Sequence, residues 1–333
     1  MKAVVLPQPG AVSLERLPDP APAPAGVVVA PDACGICGTD IHIIDGEFVG
    51  THYPIVPGHE FSGAIVAVGR DVHDLRVGDI VAVEPSLFCG HCHYCRLGRG
   101  NLCENLDAIG VLRQNGGCAE LVAVPAARAF VLPDGLPRSW GPLIEPVSCA
   151  IHGFDRLSLR IGDHVLIYGA GTIGLILCSL AAHQAAGSVS VVDRNPARLA
   201  GAQAAGADHV ASSADELDRP EGWEAVIDAT GSPQAMEDGL RRVRRGGSFL
   251  LFGVADKAAT ASFSPFRIYN DELRIIGSMA ILHSFERARE VVAAGIIDVD
   301  ALITDRVALE DYADAVAAFR RGDGLKIQVA PAG

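Results

Sequence analysis

A run of glycines set between a strand and a helix constrains this chain more than any other feature. GAGTIG (169–174) follows the apolar segment HVLIY (164–168) and opens the apolar stretch LILCSLAA (175–182). In that setting Gly169 permits a tight turn, Gly171 lets a pyrophosphate approach the backbone, and Gly174 lets helix and strand pack closely. The helix N-terminus, carrying Thr172 and Ile173 on its first turn, supplies the positive end of a dipole. Asp193 ends the next apolar segment, SVSVVD (188–193), nineteen residues after Gly174, where a carboxylate accepts from both hydroxyls of an adenosine ribose. The pattern predicts a dinucleotide site; a glycine-rich turn with no ligand is the alternative. A negative charge at 193 repels a 2′-phosphate and so favours NAD over NADP, though Arg194 and Arg198 soften that repulsion.

The texture around this motif predicts two domains, as does a length of 333 residues. From about Gly162, the apolar segments 165–169, 188–193, 225–231 and 248–253 alternate with Ala-rich helical stretches, the signature of a parallel sheet built from βαβ units. The first 145 residues instead carry short alternating runs such as FSGAIVAVG (61–69) and GDIVAV (78–83), punctuated by Pro and Gly, which suits a barrel-like β domain. After residue 282 come two helical stretches and a last strand, LKIQVA (325–330). Ser232 and Pro233 start one helix in the parallel half, and Arg241, Arg242, Arg244 and Arg245 are read as its last turn, offsetting the dipole before Gly246.

Charge and cysteine usage narrow the function classes. Forty acidic against 27 basic residues leave −13, which opposes sequence-independent binding to nucleic acid or an anionic membrane surface and points to a small-molecule partner. The uncharged stretch Val165–Ala182 is broken by Gly169, Gly171 and Gly174, and no secretory signal is read before Pro7 and Pro9, so neither a membrane span nor export is expected. Nine cysteines, four of them within fifteen residues, favour a metal site in a reducing, cytoplasmic setting over a disulfide scaffold.

Those four, Cys89, Cys92, Cys95 and Cys103, satisfy a closed tetrahedral zinc site with no open position, which staples a lobe and performs no chemistry. A ferredoxin-type cluster would place the fourth Cys after three residues rather than seven. His91 and His93 read as exposed loop residues. A second, dispersed set consists of Cys37 in CGICGTD (34–40), His59 and Glu60 in PGHE (57–60), and Glu145 in LIEP (143–146). Singly each has a packing explanation; together they offer a thiolate, an imidazole and one or two carboxylates, and three such ligands plus water make a catalytic zinc site. Cys34, Cys118, Cys149 and Cys178 read as packing, with a Cys34/Cys37 redox pair as the alternative for the first.

At these residues the chain resembles the zinc-dependent medium-chain alcohol and polyol dehydrogenases, in order through GICGTD, PGHE, the four-Cys lobe, GAGTIG with Asp193, and the closing strand. The resemblance implies an α/β protein with a GroES-like β-barrel-type catalytic domain (1–145 and 283–333) and a Rossmann doubly wound NAD-binding domain (146–282). It implies that Cys37 and His59 bind catalytic zinc, that Thr39 and His42 form a proton relay by way of a cofactor ribose hydroxyl, and that Asp40 orients His59. Where the alcohol-dehydrogenase branch has a third Cys ligand, Glu145 stands here, as in the sorbitol and arabinitol dehydrogenase branch, in which Glu60 or Glu145 completes the shell directly or through water. The implied activity is hydride transfer from a secondary hydroxyl of a sugar alcohol to NAD, with two Zn2+ per chain, in a homodimer or homotetramer joined through the nucleotide domains. Alternatives are a zinc dehydrogenase of a butanediol, threonine or a hydroxymethyl thiol adduct, or a non-enzymatic zinc- and NAD-binding protein. No Lys or Arg cluster is visible among the active-site motifs, which argues against sugar phosphates.

Overall fold

The strand His164–Tyr168 buries Val165, Leu166 and Ile167 completely, as a central strand covered on both faces must. It lies third in a six-stranded, all-parallel sheet ordered His209–Ala211, Ser188–Val192, His164–Tyr168, Trp223–Asp228, Val243–Leu251 and Arg274–Gly277. Numbered along the chain this order is 3-2-1-4-5-6, so the winding reverses between the first and fourth strands, and ligands bind past the carboxyl ends at such a reversal. The computed structural model describes residues 1–331, which divide into two compact units. This sheet belongs to Cys149–Ala280, grouped with Gly295–Asp298.

The turn after His164–Tyr168 explains two of the glycines directly. Gly169 takes φ +101°, and a Cβ on Gly174 would stand 1.8 Å from the Gly169 carbonyl oxygen. The helix that follows runs Thr172–His183 and is buried along Gly174–Ser179. Two strands of the sheet, His209–Ala211 and Arg274–Gly277, have no counterpart in the sequence reading. They are three- and four-residue edge strands, and neither presents the apolar run that betrays a central strand.

The arginine cluster requires a correction. The helix is Pro233–Arg242, and Val243 already has extended backbone (φ −68°, ψ 128°) and pairs with Trp223. Arg244 and Arg245 therefore lie on the strand Val243–Leu251, because the buried, β-branched Val243 starts that strand instead of continuing the helix.

The other unit comprises Met1–Ser148, Ile281–Ala294 and Val299–Gly333. Its main sheet runs Ile303–Ala308, Lys326–Ala330, Gly26–Gly35, Glu60–Val68, Ile80–Val83 and Ala129–Val131, with Val122–Pro125 on the first half of Gly26–Gly35. All pairings in it are antiparallel except Ile303–Ala308 with Lys326–Ala330. Val27, Val29, Ile36, Phe61, Ile65 and Val81 fill its core, joined by Tyr312 and Ile327 from the C-terminal segment. Among the described residues no helix is long and apolar enough to cross a membrane.

Candidate functional site

In the unit that contains Met1–Ser148, Cys37 is the N-cap of the helix Gly38–Asp45. The Thr39 N–H donates to its Sγ at 3.3 Å, and Asp40 Oδ2 accepts from the Cys37 N–H at 2.9 Å. CGTD is thus a capping box with a thiol in the capping position, and the helix start fixes where Sγ points. His59 Nε2 meets that Sγ at 3.2 Å; a thiolate and an imidazole on one tetrahedral ion stand about 3.6 Å apart, so a small opening admits zinc. On its other side, His59 Nδ1 faces Asp40 Oδ1 at 3.7 Å, and both atoms are buried without a hydrogen-bond partner among the described residues. At 3.7 Å this is an ion-pair contact, and an approach of under about 1 Å would make it the hydrogen bond by which a carboxylate orients a ligand histidine. Burial presses the His59 imidazolium down, but the Cys37 thiolate and Asp40 outweigh it and hold His59 well above the usual histidine range. Burial also raises the Asp40 carboxyl, against the pull of His59.

Glu60 and Glu145 form a second triad on the same imidazole: His59, Glu60 and Glu145 each offer a ligand atom, all within 4.8 Å of one another, as Cys37, Asp40 and His59 do, and the two triads share His59. Glu145 sits on the first turn of the helix Ile144–Leu157. Glu60 pairs in register with Gly35, and a Cβ there would lie 2.2 Å from Glu60 Oε2, so Gly35 makes the space this carboxylate occupies. Into the same space comes Lys326, whose Nζ donates to Glu60 Oε2 at 2.6 Å and to the Ile36 carbonyl at 3.2 Å, with both side chains 3% exposed. Burial lowers the Lys326 pKa and Glu60 more than restores it. The active-site motifs carry no Lys or Arg cluster; this single cation comes from the closing strand, and Glu60 neutralises it. The acidic ligand groups Cys37, Asp40, Glu60 and Glu145 outnumber the one cation, Lys326, and a dication fits that set.

Thr39 is partly exposed, and His42 lies one turn further along the same helix, 29% exposed. His42 Nδ1 meets Glu47 Oε2 at 2.7 Å, an acceptor that the motif reading did not include.

The four cysteines of the lobe converge without any long-range help. Sγ atoms of Cys89 and Cys95 are 4.0 Å apart and those of Cys92 and Cys103 3.8 Å, against about 3.8 Å for two thiolates 2.3 Å from a shared tetrahedral ion. Backbone N–H groups of Cys89 and Asn105 donate to Cys103 Sγ, and that of Cys92 to Cys89 Sγ. Such donors favour thiolates: backbone hydrogen bonds, His91 first, lower Cys89 to about 6, while desolvation pushes Cys95 up to about 12. His91 and His93 are exposed.

In the nucleotide unit, Asp193 Oδ2 accepts from the Ala170 N–H at 2.7 Å and Oδ1 from the Asn195 N–H at 2.8 Å. The carboxylate is thereby fixed against the glycine turn. A Cβ on Gly171 would meet only Arg198 Nη1, at 4.0 Å, so the backbone there is open and a guanidinium lies over it. Arg194 is exposed, and Thr172 and Ile173 are partly so. Across the reversal point, Asp228 accepts from Thr230 and from the Gly231 N–H, and burial raises its carboxyl. The sequence reading took Asp228 only as part of a strand.

Two candidate metal-ligand sets and a dinucleotide-type turn on one chain point to the class of zinc-binding oxidoreductases. Residues 23–134 match the alcohol dehydrogenase GroES-like domain and residues 172–294 the zinc-binding dehydrogenase model. The chain is 36% identical to D-arabinitol dehydrogenase 1 of Uromyces fabae, over 92% of this chain and 90% of that one. It is 32% identical to sorbitol dehydrogenase of Bacillus subtilis (strain 168), over 99% and 97%. A protein of Sinorhizobium meliloti 1021, assigned as a zinc-binding dehydrogenase and solved with NADP bound, superposes with a TM-score of 0.95 at 34% identity, covering 99% of each chain. The chain belongs to the zinc-binding medium-chain alcohol dehydrogenase family and is an oxidoreductase.

Proposed function

We propose that this chain oxidises a secondary hydroxyl of a sugar alcohol of the sorbitol, xylitol or arabinitol type, with NAD as acceptor, one catalytic zinc and one structural zinc. The observation that carries this reading is that His59 belongs both to a triad with Cys37 and Asp40 and to one with the carboxylates Glu60 and Glu145, in place of an all-thiolate and imidazole shell. The similarity to arabinitol and sorbitol dehydrogenases supports it. In this assignment Cys37, His59 and one of the two glutamates hold the catalytic ion, the other glutamate acting through water, and Cys89, Cys92, Cys95 and Cys103 hold the structural one. Residues 1–145 with 283–333 form the catalytic domain and 146–282 the NAD-binding domain.

When bound, zinc lowers the pKa of the substrate hydroxyl and the nicotinamide accepts hydride from the same carbon. The chain's own part is to place and move the proton. Asp40 orients His59, Thr39 takes the hydroxyl proton as its own hydroxyl proton passes on toward His42, and His42, backed by Glu47 at 2.7 Å, releases one proton at the exposed end of the relay. Gly169, Gly171, Thr172, Ile173 and Gly174 cradle the pyrophosphate, Asp193 takes the ribose hydroxyls, and Arg194 and Arg198 flank it. The reduced thiols fit a cytoplasmic setting.

A panel of C4 to C6 polyols, 2,3-butanediol and threonine, assayed with NAD and NADP, tests this. The highest kcat/KM is expected for a C5 or C6 polyol with NAD, and Asp193→Ser is expected to shift the NAD/NADP ratio about tenfold toward NADP by removing a like-charge contact. A butanediol or threonine exceeding every polyol overturns the substrate class, and a wild-type preference for NADP overturns the role of Asp193.

We also infer a homodimer formed through the nucleotide units, or a tetramer containing it. The strand Arg274–Gly277 is an unpaired sheet edge, and Ile275, Met279, Phe266 and Tyr269 are 39%, 43%, 72% and 83% exposed in this unit. Ile275→Lys should give monomers by sedimentation; an unchanged assembly would remove this edge from the interface.

A further inference from the structure

Arg241 and Arg242 end their helix and are taken up by carboxylates, Asp238 for both and Asp215 for Arg242. Arg244 and Arg245, displaced onto the strand, have a different setting. With Arg160, Arg274, Asp163, Glu224 and Ser248 they line a cavity of about 160 Å³. It opens at the amino ends of the strands His164–Tyr168, Trp223–Asp228 and Arg274–Gly277, at the opposite end of the sheet from the glycine turn.

Its charges do not balance internally. Glu224 is paired with Arg244 at 2.5 Å and accepts from the His164 N–H at 3.1 Å. Asp163 Oδ2 accepts from the Arg160 backbone N–H at 2.8 Å, and Arg245 reaches Asp271 at 3.3 Å. The guanidinium groups of Arg160 and Arg274 have no hydrogen-bond or ion-pair partner among the described residues. Ser248 is 2% exposed, and its hydroxyl likewise has no partner among them. Two unpaired guanidinium groups around one cavity, on a chain of net charge −13, specify an anion. A cavity of about 160 Å³ admits a tetrahedral oxyanion.

We propose that this cavity is a second ligand site, binding inorganic phosphate or the phosphoryl group of a small monoester at the end of the sheet remote from the cofactor turn. The five-residue strand His164–Tyr168 separates the two by about 16 Å, so occupancy of one does not exclude the other.

Calorimetric titration of the full chain with inorganic phosphate, at constant ionic strength and with and without saturating NADH, is the test. Saturable binding that survives NADH is expected, weakened on the order of tenfold or more by Arg160→Gln and by Arg274→Gln, with NADH affinity unchanged in both. Tighter binding of glycerol phosphate than of phosphate would identify a monoester as the source, and the reverse would identify the free ion; either supports the site. Thermal unfolding without phosphate establishes that the exposed-arginine variants fold. Absence of saturable binding, displacement by NADH, equal affinity in wild type and in both variants, or binding of malonate but not phosphate would each overturn the proposal.

Discussion

Cys37→Ala is expected to lower zinc content from two ions per chain to one and to reduce turnover by about 10³-fold or more. Cys37 is held by its capping box 3.2 Å from His59 Nε2, and neither glutamate is placed to replace a thiolate at the helix start. Losing the ion removes several kcal/mol of charge stabilisation at the substrate oxygen, and each 1.36 kcal/mol is tenfold in rate. The four-Cys lobe lies elsewhere in the sequence and closes on itself, so its ion should remain in this variant. Cys92→Ser should give the complementary result: loss of the other ion and a much lower unfolding temperature, since structural zinc supplies folding free energy directly. Elemental analysis and calorimetry read both outcomes. One zinc in the active wild type, or two in Cys37→Ala, would sink the two-site assignment. Glu60→Gln and Glu145→Gln separate the carboxylates in the same assays: the inner ligand's variant loses zinc, and the other costs roughly 10–100-fold in affinity or activity.

Gly174→Ala should damage stability and cofactor binding together, whereas Gly171→Ala should affect cofactor alone. A Cβ at 174 would stand 1.8 Å from the Gly169 carbonyl oxygen, a contact that backbone must move to relieve. Overpacking of this kind costs about 3 kcal/mol, or roughly 6–12 °C in unfolding temperature for a unit of this size. The displaced helix end would also lose hydrogen bonds to a charged pyrophosphate, each worth about 1.5–3 kcal/mol, so NADH affinity should fall about 100-fold. At 171 the new methyl meets nothing closer than Arg198 Nη1 at 4.0 Å, so the fold should be unaffected while the pyrophosphate is kept away. Equal unfolding temperatures for wild type and Gly174→Ala would contradict this account of the turn.

Local signals were the legible ones. Four Cys within fifteen residues can meet only around a common point, and GAGTIG between an apolar strand and an apolar stretch specifies its own turn through backbone sterics. The capping box was also present in the letters CGTD, although Cys is not an ordinary capping residue and the motif was read for its zinc chemistry instead. Edge strands escaped because short, half-exposed segments carry no hydrophobic period. The arginine run was misread because helix propensity and strand pairing compete at Val243, and the partner that decides, Trp223, lies twenty residues earlier.

By itself, then, the sequence determined which residues form the two candidate ligand sets, the glycine turn between strand and helix, and the division into a β half and a parallel α/β half. Each follows from residue types at short spacing, where covalent geometry leaves few alternatives. Only the tertiary structure decided that Lys326 lies against Glu60 across 266 residues, that Gly35 makes room for the pair, and that Arg160 and Arg274 share a cavity with Ser248. Those outcomes depend on which strands pair and in what register. A one-residue slip would turn each side chain to the opposite face of its sheet, so no local pattern records them.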